Sequence, residues 1–247
     1  MTASLEDGDI ADVPVERAPE TPRSAWLARR SQQFGASEVP VLLAWRGVID
    51  VERCPQYVRD DLEHGRWDVP IFLARKAGLA GRKPRHTAMR AGSERERELL
   101  RTWAARADVW LVTAVQHADT VPEEWLPIRD WQSPHLAATP DAWARCELDG
   151  GLVAIELKCT MGLHQRDERA IGNVPHFEAQ VQAEIAALGC TRGLLVIGSG
   201  WAGQGEYADR PILTHEIARD EARIAQIREV CAEAWAEVQR LRARRKT

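Results

Sequence analysis

The sequence predicts an α/β domain with a mixed central sheet and helices on both sides. Three observations lead there. Strand-like segments follow one another over residues 109–159, joined by turn residues. The apolar run Gly193-Leu194-Leu195-Val196-Ile197-Gly198 reads as a fully buried strand. Amphipathic helical segments at 175–188 and 219–244 are interleaved with the later strands.

The N-terminal half reads as helical. Residues 22–34 predict a short helix with Ser24 as N-cap, broken at Gly35-Ala36-Ser37, and Ser37 can cap a further helix at 38–45. Short helices are expected at 55–65 and 68–78, each ending near a glycine (Gly65, Gly78). A Gly/Lys/Arg/Pro loop at 79–85 leads into a longer helix at 86–106. Its inward stripe is Met89, Gly92, Glu96, Leu99 and Trp103, at steps of three and four. An acid on that stripe, Glu96, needs a partner.

The strands follow. Residues 109–117 are β-rich, 121–133 read as a loop, and 135–147 form a strand region interrupted by the Thr139-Pro140-Asp141 kink. Asp149-Gly150-Gly151 is a hairpin turn into Leu152–Cys159. In that strand Val153, Ile155 and Leu157 alternate with Ala154, Glu156 and Lys158, so the acid and the base project from the same face. The helix at 175–188 is expected to turn Phe177, Val181, Ile185 and Leu188 inward, and a strand is expected at 210–217. The last helix, 219–244, carries Ile227, Val230, Ala234, Val238 and Leu241 on one stripe.

Composition narrows the class. The 247 residues are 45% hydrophobic, enough for an ordinary core, and no apolar run is long enough to span a membrane. Residues 1–20 hold six acids against one arginine and are expected to form a disordered tail, with 21–247 a single domain. The acidic N-terminus is no signal peptide. The five cysteines are scattered without a C-x-x-C, which argues against a zinc ribbon or disulfide framework and suits a cytoplasmic location. The formal charge is −4, yet residues 71–106 hold ten Lys/Arg against three Glu, a basic segment suited to phosphate.

Asp141 and Glu156 lie on adjacent hairpin arms and fit as ligands of Mg²⁺, which needs few protein carboxylates. The Leu157 carbonyl can add a neutral oxygen, and Glu96 can complete the acidic cluster. Lys158 would meet the attacking water or the scissile phosphate. Such a group of carboxylates and a lysine suits phosphodiester hydrolysis. The bland alternative is a buried Glu–Lys pair without catalysis. His135, His164 and His176 match no metal spacing and read as ordinary polar residues. For Trp131, Trp143 and Trp201, packing is favoured over base stacking.

The ordered motifs resemble those of the PD-(D/E)XK nuclease superfamily, and more narrowly the phage lambda exonuclease and YqaJ-type viral recombinase family. The matching stretches are Phe34-Gly35-Ala36-Ser37, the Gly92-x-x-x-Glu96 helix, Thr139-Pro140-Asp141, Glu156-Leu157-Lys158 and Gln180-Val181-Gln182. Ala142 stands where the family usually has glycine. The resemblance implies a restriction-endonuclease-like core and an Mg²⁺-dependent 5′→3′ exonuclease, with Mn²⁺ as a substitute ion. It implies action on linear double-stranded DNA ends within a bacterial host cell, leaving 3′ single strands for an annealing protein, by a trimeric ring. Residue by residue it implies catalysis by Asp141, Glu156 and Lys158, with Glu96 as a metal ligand. It puts Arg30, Ser37, Thr139, Gln182 and Gln180 at the 5′-phosphate. Competing readings are an endonuclease or RecB-like repair nuclease on the same fold, and a catalytically inactive DNA-binding module.

Overall fold

The computed structural model describes residues 31–65, 68–81, 87–106, 112–117, 128–160, 175–199 and 212–245. The helix read at 22–34, the acidic tail, His164 and Trp201 therefore lie wholly or mostly outside the described residues, as does Arg30. Of Met89 and Gly92, on the predicted helical stripe, the helical backbone alone is described.

The chain enters through β1 (Phe34–Gly35) and a 3₁₀ turn (Ala36–Glu38), then runs through α1 (Val39–Trp45), α2 (Gln56–Leu62), α3 (Ile71–Lys76) and α4 (Thr87–Ala104). Ser37 sits within the 3₁₀ turn and does not cap α1, as the sequence had led us to expect. The Glu38 carboxylate instead accepts from Gly35 N at 2.7 Å and from Lys76 at 2.8 Å. Next come β2 (Val112–His117), β3 (Ile128–Arg129), β4 (Leu136–Ala138), β5 (Ala142–Cys146) and β6 (Leu152–Thr160). The chain closes with α5 (Pro175–Leu188), β7 (Arg192–Ser199), β8 (Ile212–Ala218) and α6 (Glu221–Arg244).

Two sheets result. The larger has the order β2-β5-β6-β7-β8, with β6 and β7 parallel and the other pairs antiparallel. A parallel pair needs a crossover, and α5 lies between β6 and β7 in the chain. The smaller sheet is β1-β4-β3. Residues 135–147 thus form two strands of different sheets, with the Thr139-Pro140-Asp141 kink at the transfer. The segment read as a loop at 121–133 contains β3, because Ile128 and Arg129 find partners in Ala138 and Ala137.

The large sheet is covered on both faces. Leu99, Leu100 and Trp103 of α4 cluster with Val153, Ile155, Leu157, Leu194 and Val196. On the other side Ala154, Leu195 and Ile197 join α5 and the Ile224–Leu241 stripe of α6. The α6 stripe is buried as its spacing predicted, its Ile, Val and Leu side chains contributing about 1.5–3 kcal/mol each. Asp220 caps that helix, accepting from Ala222 N at 2.9 Å and Arg223 N at 3.0 Å.

Helix α5 departs from its amphipathic reading. Val181 and Ile185 are buried, but Phe177 and Leu188 are only partly so, and residues 179–187 are buried all round. This helix is sandwiched between the sheet and the α1/α6 layer, so no face is left for water. Gly193 makes the close packing possible: a Cβ there would strike the Val181 and Ile185 side chains. Trp131 also departs from expectation. It is 80% exposed, on a turn pinned by Asp130, whose carboxylate takes Arg228 at 2.6 and 3.1 Å.

Candidate active site

Strand β6 builds the site. Its alternation sends Val153, Ile155 and Leu157 into the α4 side of the core and Ala154 toward α5. Glu156 and Lys158 share the Ala154 face. Glu156 is 2% exposed, and it accepts from Lys158 in direct contact and from Gln180 Nε2 at 2.5 Å. A carboxylate so far from water is tolerable only with such partners.

Asp141 reaches the same spot from the other hairpin arm. The β5/β6 register pairs Ala142 with Ile155, placing Asp141 beside Glu156 and Leu157. Its Oδ2 accepts from Leu157 N at 2.8 Å. Burial first, then the Glu156 charge and that of Glu96, push the Asp141 pKa well above the carboxylate range, against the opposing pull of Lys158 and the Leu157 N–H. Burial disfavours the charge on Lys158, but Glu156 and Asp141 outweigh it and hold the pKa above the ordinary lysine value.

Glu96 lies half-buried on α4, close enough for its charge to act on Asp141. Among the described residues no three His, Cys, Asp or Glu side chains already form a ligand cluster. Even so, the chemistry fits a hard cation. Two carboxylates repel each other across one hairpin, with Glu96 adding to the field, and oxygen donors of this type suit Mg²⁺ or Mn²⁺.

Behind the carboxylates lies a cavity of about 50 Å³, lined by Gln33, Gly35, Ser37, Thr139, Gln180 and Glu184 among others. Ser37, Thr139 and Gln180 thus line one cavity. Gln182 does not join them. On a helix, positions two apart face different ways, and Gln182 points to the β8–α6 corner. There its amide donates to Ala218 O at 2.7 Å and accepts from Asp220 N at 3.1 Å. Arg30 lies outside the described residues.

Two residues beside the site, Glu184 and Gln33, went unread in the sequence, and a third, His176, was given no role there. Glu184 is fully buried, accepts from Gln180 Nε2 at 3.2 Å, and has its Oε2 without a partner among the described residues. Burial, then Glu156, push its pKa well up. Gln180 and Glu184 stand one helical turn apart and so share a face, but the helix also carries His176, Glu178 and Gln182, and the spacing alone does not single that face out. Gln33, 1% exposed, likewise has both amide atoms unpartnered. His176, read as an ordinary polar residue, is 5% exposed, and burial, aided by Lys158, lowers its pKa to about 4. Its ring packs 4.0 Å from Phe177, over which Lys158 sits at 5.7 Å.

No family model matches the chain, and no curated protein matches it in sequence. Solved structures do match in shape. An alkaline exonuclease, LHK-Exo from Laribacter hongkongensis, superposes with a TM-score of 0.61 at 19% identity, covering 90% of this chain and 95% of its own. The same protein in complex with dAMP gives 0.59 at 19% identity, over 90% and 97%. A phage-related exonuclease from Haemophilus somnus 129PT gives 0.56 at 11% identity, over 86% and 96%. No described helix is long and apolar enough to cross a membrane. The mixed sheet with α4 on one face and α5 on the other is the restriction-endonuclease-like fold, shared with these alkaline and phage-related exonucleases.

Proposed function

We propose that this chain is a divalent-metal-dependent DNA exonuclease acting 5′→3′ on linear duplex and leaving 3′ single strands for phage-type recombination. The observation that carries the reading is one group: the buried Glu156 in contact with the half-buried Lys158, and the half-buried Asp141 hydrogen-bonded to the peptide between them. A structural ion pair needs one acid and one base. Here a second acid, with a raised pKa, is held against the first. Such an arrangement costs stability unless something cationic is bound there.

Asp141, Glu156, Glu96 and the Leu157 carbonyl would hold Mg²⁺ or Mn²⁺. When bound, the ion would draw charge from the phosphodiester and lower the pKa of water. The chain's own residues do the rest. Lys158 carries a fixed positive charge on the same strand face as Glu156 and faces the scissile phosphate, where negative charge grows. The Leu157 N–H and Gln180 hold the two carboxylates against rotation. Ser37, Thr139 and Gln180, with Arg30, receive the 5′-terminal phosphate. Residues 21–247 act as one domain, with DNA ends and an annealing protein as partners and a trimer as the assembly.

The test is digestion of a linear duplex with Mg²⁺, with Mn²⁺ and with EDTA. The account expects nucleotides released only with metal, and none from Asp141→Asn. Digestion in EDTA would contradict it.

A further inference from the structure

Glu184 sits on the boundary between the cavity and the catalytic carboxylates. Through Oε1 it accepts from Gln180 Nε2 at 3.2 Å, and the same Nε2 donates to Glu156 Oε1 at 2.5 Å. Glu184 lines the cavity, yet its Oε2 is buried and meets no partner among the described residues. Across the cavity Gln33 is 1% exposed with both amide atoms in the same condition. Three unpaired buried polar atoms around one space are a costly arrangement, on the order of 1–3 kcal/mol each. A group entering the cavity relieves that cost where it donates to Glu184 Oε2 or pairs with the Gln33 amide.

Gln180 and Glu184 are four residues apart, so they share one face of α5. The helix is buried on all sides and closely packed on Gly193, which leaves it little freedom to shift. Movement of Glu184 is therefore passed to Gln180, whose single amide nitrogen serves both carboxylates, and is felt by Glu156 directly, since the two carboxyls also meet.

We propose that Glu184 is a positioning residue which, through Gln180, makes the placement of Glu156 depend on whether the terminus of the substrate strand fills the cavity. This rests on the nuclease reading and deepens it. It supplies a reason for cutting at ends: an internal phosphodiester leaves the cavity without a terminal group, and Glu156 without its full support.

The experiment is steady-state kinetics on linear duplexes bearing 5′-phosphate or 5′-hydroxyl ends, at graded Mg²⁺, for wild type, Glu184→Ala, Glu184→Gln and Gln180→Leu. Thermal melts accompany each variant. Partners that orient a metal-binding carboxylate are typically worth about 10–100-fold in activity or metal affinity. Glu184→Ala and Gln180→Leu are expected to lower kcat by about that factor and to raise the Mg²⁺ needed for half-maximal rate, Glu184→Ala with KM little changed and Gln180→Leu with KM raised as well, because Gln180 also lines the cavity. The wild-type difference in kcat between the two ends is expected to vanish in both. Glu184→Gln keeps an acceptor for Gln180 and is expected to recover most of kcat.

An unchanged kcat in Gln180→Leu, an effect on KM alone, or equal defects in Glu184→Ala and Glu184→Gln would overturn the inference while leaving the nuclease reading intact. So would a wild type with the same kcat on both ends. Should Glu184→Ala fail to fold, Gln180→Leu and Glu184→Gln still decide it. A wild type that degrades no duplex with any metal overturns the nuclease reading, and the inference with it.

Discussion

The Leu157 N–H donates to Asp141 Oδ2 at 2.8 Å, across the hairpin that separates the two residues by sixteen positions. This bond places the kink before β5 against the centre of β6. It also explains why Asp141 and Glu156 are held together although their charges oppose it.

That opposition gives a pH dependence. Asp141 and Glu184 both have folded-state pKa values raised above the ordinary carboxylate value of about 4. A raised acid favours the folded state while protonated, so its contribution is full below the unfolded pKa and lost as pH rises through the folded one. Metal-free protein is expected to melt at progressively lower temperature as pH rises across that window. Asp141→Asn should flatten the slope, and Mg²⁺ should reduce it. A metal-free melting temperature that climbs over the same window would refute this.

Lys158→Ala should lower kcat by about 10²–10³-fold, the usual size for losing one positioned charge-stabilising group. It should also destabilise the metal-free fold, because Glu156, 2% exposed, loses its one cationic contact among the described residues and keeps the neutral Gln180 amide as donor. Breaking a buried pair costs about 3–5 kcal/mol. Denaturant melts with and without Mg²⁺ measure the second effect, and single-turnover rates the first. Wild-type rates in this variant would remove Lys158 from the mechanism.

Arg30→Ala should abolish any preference for 5′-phosphorylated over 5′-hydroxyl ends while leaving the rate on hydroxyl ends nearly unchanged. Competition between the two labelled duplexes reads this directly. A preference that survives would place the phosphate contact elsewhere.

Gln182→Leu should act on stability and spare catalysis. Its amide ties Ala218 O and Asp220 N at the start of α6, and leaving these unpaired costs about 1–3 kcal/mol. Urea unfolding should show that loss, with KM for DNA unchanged. A raised KM at unaltered stability would return Gln182 to the cavity.

Gly193→Ala is expected to destabilise by about 1–3 kcal/mol, the usual cost of overpacking, since Val181 and Ile185 would have to move. The readout is the urea midpoint, and an unchanged midpoint would mean α5 can slide on the sheet.

The parts legible in the sequence were those with local periodicity. The β6 alternation gave the faces of Glu156 and Lys158 correctly, and the α6 stripe is buried residue for residue. The strand Phe34–Gly35 was not legible, because its partner Leu136–Ala137 lies a hundred positions away and two residues carry no pattern. Gln180 and Gln182 looked alike as a motif, and only the orientation of α5 against β6 separates them. Glu184 stayed hidden for the same reason. An acid on a helix is normally solvated, and nothing local says that this helix is covered on every side.

The central claim is best tested by a time course on end-labelled linear duplex and closed circular duplex, each with Mg²⁺ and with EDTA. The account predicts early release of the 5′ label from the linear DNA with Mg²⁺, an intact circle, and no reaction in EDTA. Cutting of the circle, or a linear substrate untouched in Mg²⁺, would contradict it.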